Sequence, residues 1–163
     1  MRRFEVRSIS VTGIHNDYWF ISCQRNGATG TFVDALTISH LGVDLVSAWV
    51  TIARTKHLPL ENGVRRARYL KIFDVRSRTV AITKGVGYDI NGEITISGDL
   101  HDVTFIYPEP DSFAEHELEF ICSDPAKWEH PGHLWTRIAV EPEVFIDRFY
   151  IGVESKGLAD RSP

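Results

Sequence analysis

The sequence predicts a mainly β protein, an antiparallel β-sandwich or barrel-like single domain with one or two short helices. Three observations predict it. Short runs rich in β-branched and aromatic residues recur, over residues 18–21, 32–39, 69–73 and 103–107. Asn26-Gly27, Asn62-Gly63 and Asn91-Gly92 stand between such runs and supply residues that tolerate the positive φ of tight turns. The length of 163 residues suits one domain, and no repeat, low-complexity tract or linker divides it.

The elements follow in order. Residues 4–12 are rich in strand formers, but their apolar phase shifts between Val6 and Ile9, which implies a bulge or break near Ser8. Residues 18–21 are continuously apolar, as a strand covered on both faces requires. Residues 25–30 read as a turn, and residues 32–39 return as a strand with Phe32, Leu36 and Ile38 on one face. Residues 43–57 fit two patterns. Val43, Val46, Trp49, Val50 and Ala53 make a helical stripe, with Arg54, Lys56 and His57 placed to complement a helix C-terminus before Pro59. Trp49-Val50-Thr51-Ile52 is dense in β-formers and tips the reading to strand.

Glu61-Asn62-Gly63 is a turn, residues 69–73 alternate, and residues 80–83 make a short strand. Residues 88–96 form a hairpin with Asn91-Gly92 at its tip. Residues 103–107 read as a strand stopped by Pro108 and Pro110. Residues 113–122 open as a helical turn after Asp111-Ser112, then alternate like a strand through Leu118, Phe120 and Cys122. Residues 124–133 are irregular, 134–140 a strand, 142–148 one or two helical turns headed by Pro142, and 149–153 a last strand. The domain spans 1–155, with 156–163 as a flexible C-terminal tail.

Composition excludes several classes. A net charge of -4 argues against non-specific DNA binding, which needs a basic field. Arg65, Arg66, Arg68 and Lys71 form the one basic cluster, and they read as a solvated strand edge carrying gatekeeper charges. Cys23 and Cys122 lie far apart in apolar stretches and read as small core residues, not a redox or zinc pair. No signal peptide is visible and no apolar run spans a bilayer, so the chain is expected to be made in the cytoplasm and not to bind membranes.

Chemistry-bearing motifs are sparse. His101, His130 and His133 are the candidates for a metal-dependent hydrolase, but their spacing matches no helical His pair and no finger. Glu115, Glu117, Glu119 and Glu129 could serve acid–base work, and Glu117 and Glu119 would share a strand face; a solvated face explains them more simply. No nucleophile elbow or phosphate loop occurs, and no cofactor is expected.

Two stretches resemble known families. Arg3-x-x-x-Arg7 followed by Thr37-x-Ser39-x-x-Gly42 resembles the PilZ signature for cyclic dinucleotides, with Thr37 where an acid or amide is usual. That resemblance implies a small-ligand site at Arg3, Arg7 and Ser39, since guanidinium groups stack and donate paired bonds. The second stretch, Glu117-Leu118-Glu119-Phe120-Ile121-Cys122-Ser123-Asp124-Pro125-Ala126-Lys127-Trp128, is similar to a strand-to-Asp-Pro-aromatic segment of distal and minor tail proteins of long-tailed phages. Residues 93–98 look like a sheet edge of such modules. This second resemblance covers about a tenth of the chain. It implies a structural adaptor of a phage-like tail or baseplate, built into a virion as a homo-oligomer or part of a symmetric assembly with other structural proteins. Trp128 and Trp135, with Arg137 beside them, are the expected interface residues, because aromatic and arginine anchors dominate interface energy.

Overall fold

The computed structural model describes residues 16–133 and 135–159, so the strand expected over residues 4–12 lies outside the described residues. Strands β1 (Tyr18–Cys23) and β2 (Thr29–Asp34) pair antiparallel across the turn at 24–28. Gly27 takes φ 72 there, and the Asn26 side chain accepts a bond from the Ala28 N–H at 3.0 Å. Residues 18–21 are buried, as their unbroken apolar run requires. β2 stops at Asp34, short of the expected Ser39. Asp34 accepts from the Leu36 N–H and caps a single 3-10 turn, Ala35–Thr37, which leaves Leu36 exposed.

β3 (Ser39–His40) pairs with β4 (Leu45–Arg54), which confirms the strand reading of residues 43–57. The helical stripe there is a by-product of burial on both faces, which places apolar residues at both periods. β5 (Arg66–Asp74), β6 (Thr79–Tyr88) and β7 (Ile94–Asp99) continue as hairpins, and β8 (Thr136–Arg137) closes the far end. One antiparallel sheet results, in the order β7-β6-β5-β4-β2-β1-β8 with β3 added on β4. It stays open, with β7 and β8 at its ends. The mainly β, antiparallel class expected from the sequence is therefore the class observed.

Helix α1 (Phe113–Cys122) lies on one face and helix α2 (Pro142–Ala159) on the other. Successive strand residues point to opposite faces. Trp19, Ile21, Val33, Val50 and Phe73 accordingly pack with Leu118 and Phe120 of α1, while Tyr18, Phe20, Phe32 and Ala53 pack with Ile138 and Ile146 of the α2 side. Among the described residues no helix is long and apolar enough to cross a membrane.

Four expectations are corrected here. Residues 118–122 are helical, not extended: Ser112 caps α1 by accepting from the Glu115 N–H at 3.2 Å, and Glu115 reaches back to the Asp111 N–H at 2.6 Å. Residues 149–153 lie inside α2, where Phe145 and Phe149 stack at i and i+4 with centroids 6.0 Å apart. α2 runs through Ala159. Residues 103–107 form no strand but one bridge, Val80 to Ile106, and of the described residues 135–140 only Thr136 and Arg137 are strand, as β8.

The β5–β6 turn carries a pH signature. Asp74 Oδ1 accepts the backbone N–H groups of Ser77 and Arg76, each at 3.0 Å, while Arg78 sits at φ 57. Those bonds, the one from Ser77 foremost, hold the Asp74 carboxyl below its ordinary value. A depressed carboxyl adds stability that is present above its unfolded-state pKa and lost as pH falls through its folded value. Asp74→Ala should therefore melt below the wild type at neutral pH, with the gap closing in acid. Calorimetry across pH checks this, and a gap that does not change with pH would refute it.

Candidate interaction surface

The site is built around β5, an interior strand with unusually many cations. Alternation sends Lys71 to the α1 face and Arg66 and Arg68 to the α2 face. Lys71 Nζ lies 2.6 Å from Glu117 Oε2, and Thr31 Oγ1 donates to Glu117 Oε1 at 2.6 Å. Glu117 is wholly buried and Lys71 nearly so. On the other face Asp147 accepts from Thr55 Oγ1 at 3.0 Å and from the Lys56 N–H at 2.9 Å, and pairs with Arg65. Arg66 pairs with Glu143 at 3.1 Å and lies 4.4 Å over Tyr88, while Arg68 lies 4.9 Å over Trp49. Burial, and then the neighbouring Glu143, push the Glu141 carboxyl up. The basic cluster is thus not a solvated edge but an interior strand whose charges meet helix carboxylates, and Glu117 is a buried counter-ion, not part of a solvated acidic face.

α1 meets β5 at Lys71 but does not line the part of its face around Tyr69, Gly85, Gly87 and Gly98. There the sheet is left bare as an open groove of about 410 Å³. Its depth comes from glycines. Gly85 and Gly87 sit two apart on one face of β6 and oppose Gly98 and Ile96 of β7. A Cβ on Gly87 would meet Ile96 Cγ2 at 2.8 Å, and one on Gly85 would meet the Tyr69 ring at 3.3 Å. The walls are apolar: Val64, Ile82 and Leu100. A smaller hollow of about 240 Å³ continues the groove past Ile82 and Leu100 to Ile106 and the stem of Lys71. Along these hollows Ile96, Leu100 and Ile106 are all more than half exposed, as are Ile94 on β7 and Tyr107 next to Ile106 in sequence. Contiguous apolar exposure of this kind marks binding surfaces in soluble proteins.

The residues singled out from sequence fall elsewhere. Trp128 is half-buried, stacked on Phe120 at 4.2 Å, with its indole N–H donating to the Phe120 carbonyl. Trp135 meets Phe120 edge-on at 5.2 Å and carries His133 stacked on its outer face at 4.3 Å. Arg137 pairs with Asp17 at 2.7 Å and ties β8 to the start of β1. Both tryptophans therefore pack against the α1 core, on the opposite side of α1's core from the groove-forming strands β6 and β7.

Arg3 and Arg7 lie outside the described residues. Ser39 is exposed on β3, and the Thr37 hydroxyl donates to the Asp34 carbonyl and accepts from the Trp49 N–H. His130 and His133 are neighbours with rings 6.0 Å apart, and His101 is exposed near the end of β7. Among the described residues the one cluster with ligand spacing is Asp111, Glu115 and His116. It is already used: Glu115 caps α1 and His116 Nδ1 bonds Ser22 Oγ at 2.8 Å. Cys23 is half-buried and Cys122 exposed, both free thiols, so neither is the fully buried residue expected.

The groove was missed because each of its residues is ordinary alone. Gly85-x-Gly87 followed by Ile94-x-Ile96-x-Gly98 was the available signal, since period 2 puts the glycines on one face. The chain matches no family model, no curated protein and no solved structure.

Proposed function

We propose that this chain is a structural adaptor acting through protein–protein contacts, in an assembly of the phage tail or baseplate kind. The observation that carries the adaptor reading is the bare apolar groove and its continuation, with Ile96, Leu100 and Ile106 exposed along it. The described lining is mostly apolar side chains and glycines, with Ser97 and Asp99 at its β7 side, which suits a contact surface. The tail attribution is supported by the residue order of 93–98, of which 94–98 lie on an exposed sheet edge; residues 117–122 are helical where the tail resemblance expects a strand, so that stretch adds only its Asp124-Pro125-x-x-Trp128 order. In such an assembly the chain is made in the cytoplasm and then built into the particle with other structural proteins.

Leu100→Asp combined with Ile106→Asp puts two charges on this face. Both side chains are more than half exposed, so folding should change by only about 0.5 kcal/mol per site. The wild type should retain tail-tube or fibre proteins of the same genome on co-expression, and the double variant should lose them. A wild type that retains none would sink the tail attribution, and a double variant that retains them fully would sink the groove as the contact surface.

A further inference from the structure

We propose that two copies of this chain pair antiparallel through the outer edges of β7, on a two-fold axis at Gly98, to make one continuous sheet. β7 is an end strand, all six of its residues are exposed, and no described strand covers its outer side. An uncovered strand edge is a row of main-chain groups with no strand partner, which proteins that stay monomeric blunt with charges, Pro, bulges or cover. β7 reads Ile94-Thr95-Ile96-Ser97-Gly98-Asp99, with neither Lys nor Pro, and its one charge, Asp99, is paired with Lys84 at 3.5 Å. Its irregularity lies at Ile94–Ile96, so the stretch from Ser97 to Asp99 is open to another extended strand.

The register follows from the backbone. The Leu100 N–H donates to the Thr83 carbonyl at 2.9 Å. Antiparallel ladders alternate, so Gly98 and Ile96 also turn their main-chain groups toward β6, and Ser97 and Asp99 turn theirs outward. The β6–β7 pairing shifts register where Gly87 meets Ile96 and Tyr88 meets Ile94, which leaves Ser97 and Asp99 as the regular outward pair. Both outward residues of both copies are used when Ser97 of each faces Asp99 of the other, which puts Gly98 opposite its own copy. A shift that faced Asp99 with its own copy would oppose like charges.

Side chains agree with this register. Each Ser97 hydroxyl meets a carboxylate, and each Ile96 meets the other copy's Leu100, two residues that are more than half exposed in the single chain. Gly98 supplies the independent observation. Its φ is not in the left-handed region, and a Cβ built on it has no described atom within 4 Å, so nothing among the described residues demands glycine there. A glycine on a strand marks close approach of another backbone, and the residue at the axis is a non-hydrogen-bonded pair, the closest cross-strand position at about 4.5 Å between Cα atoms. This homotypic contact goes beyond the adaptor reading and stands whether or not tail proteins bind.

Three measurements decide it. Light scattering of the wild-type chain should give twice the chain mass, rising with concentration from the monomer; a strict monomer at the highest soluble concentration would overturn the proposal. Gly98→Cys, made with Cys23→Ser and Cys122→Ser, should oxidise to a covalent dimer, because about 4.5 Å lies within disulfide reach; a chain that dimerises without this crosslink would overturn the axis. Ser97→Pro removes an outward N–H and leaves the β6 ladder intact. It should melt like the wild type yet be monomeric, and a Ser97→Pro dimer would refute edge pairing.

Discussion

Glu117→Ala should destabilise the protein by about 3–5 kcal/mol, the cost of leaving one member of a buried ion pair without its partner. Lys71 is 5% exposed and Glu117 0%, so water cannot replace the lost carboxylate without opening α1 from the sheet. Thr31 loses its acceptor as well. Denaturant melts should show the midpoint falling. The pair is not expected to be the source of net stability, because an apolar pair of similar volume avoids desolvating two charges. Lys71→Met with Glu117→Leu should therefore recover most of what Glu117→Ala loses. A single variant within about 0.5 kcal/mol of wild type would show that the site is wet and that the surface range applies.

Phe120→Ala should cost about 3–5 kcal/mol, as expected for emptying a fully buried aromatic site. Its ring is the hub of the α1 face, with Trp128 stacked at 4.2 Å, Trp135 edge-on at 5.2 Å and Trp19 at 5.9 Å. Three large rings cannot all move into the void, so the cavity persists and the loss stays in the upper range. Tryptophan fluorescence and near-ultraviolet dichroism should change along with the melting midpoint. An unchanged spectrum with a small loss would mean that the rings repack around the smaller side chain.

How much was legible depends on the element. Residues 18–21, 26–27 and 91–92 carried their structure openly, because an unbroken apolar run and an Asn-Gly turn each have one cheap conformation. Residues 113–122 mislead, because Glu117 reads as a solvated carboxylate in the sequence and is a buried counter-ion in the fold. With Glu117 counted as inward, Glu117, Leu118 and Ile121 fall at helical spacing. The tryptophans stand out by residue type, but that both pack on Phe120 is not legible from type alone. The groove escaped notice because a concavity made of Gly85, Gly87 and Gly98 is an absence of side chains, and only strand register shows that they line up.

Local preference alone determined that this chain would be an antiparallel β protein with tight turns at its Asn-Gly pairs, since period and turn chemistry act over a few residues. Tertiary structure alone decided which charges are buried, where α1 ends its cover of the sheet, and which strand is left at the edge. Those outcomes depend on residues far apart in the chain, such as Lys71 with Glu117 and Arg65 with Asp147, whose meeting no short-range pattern encodes.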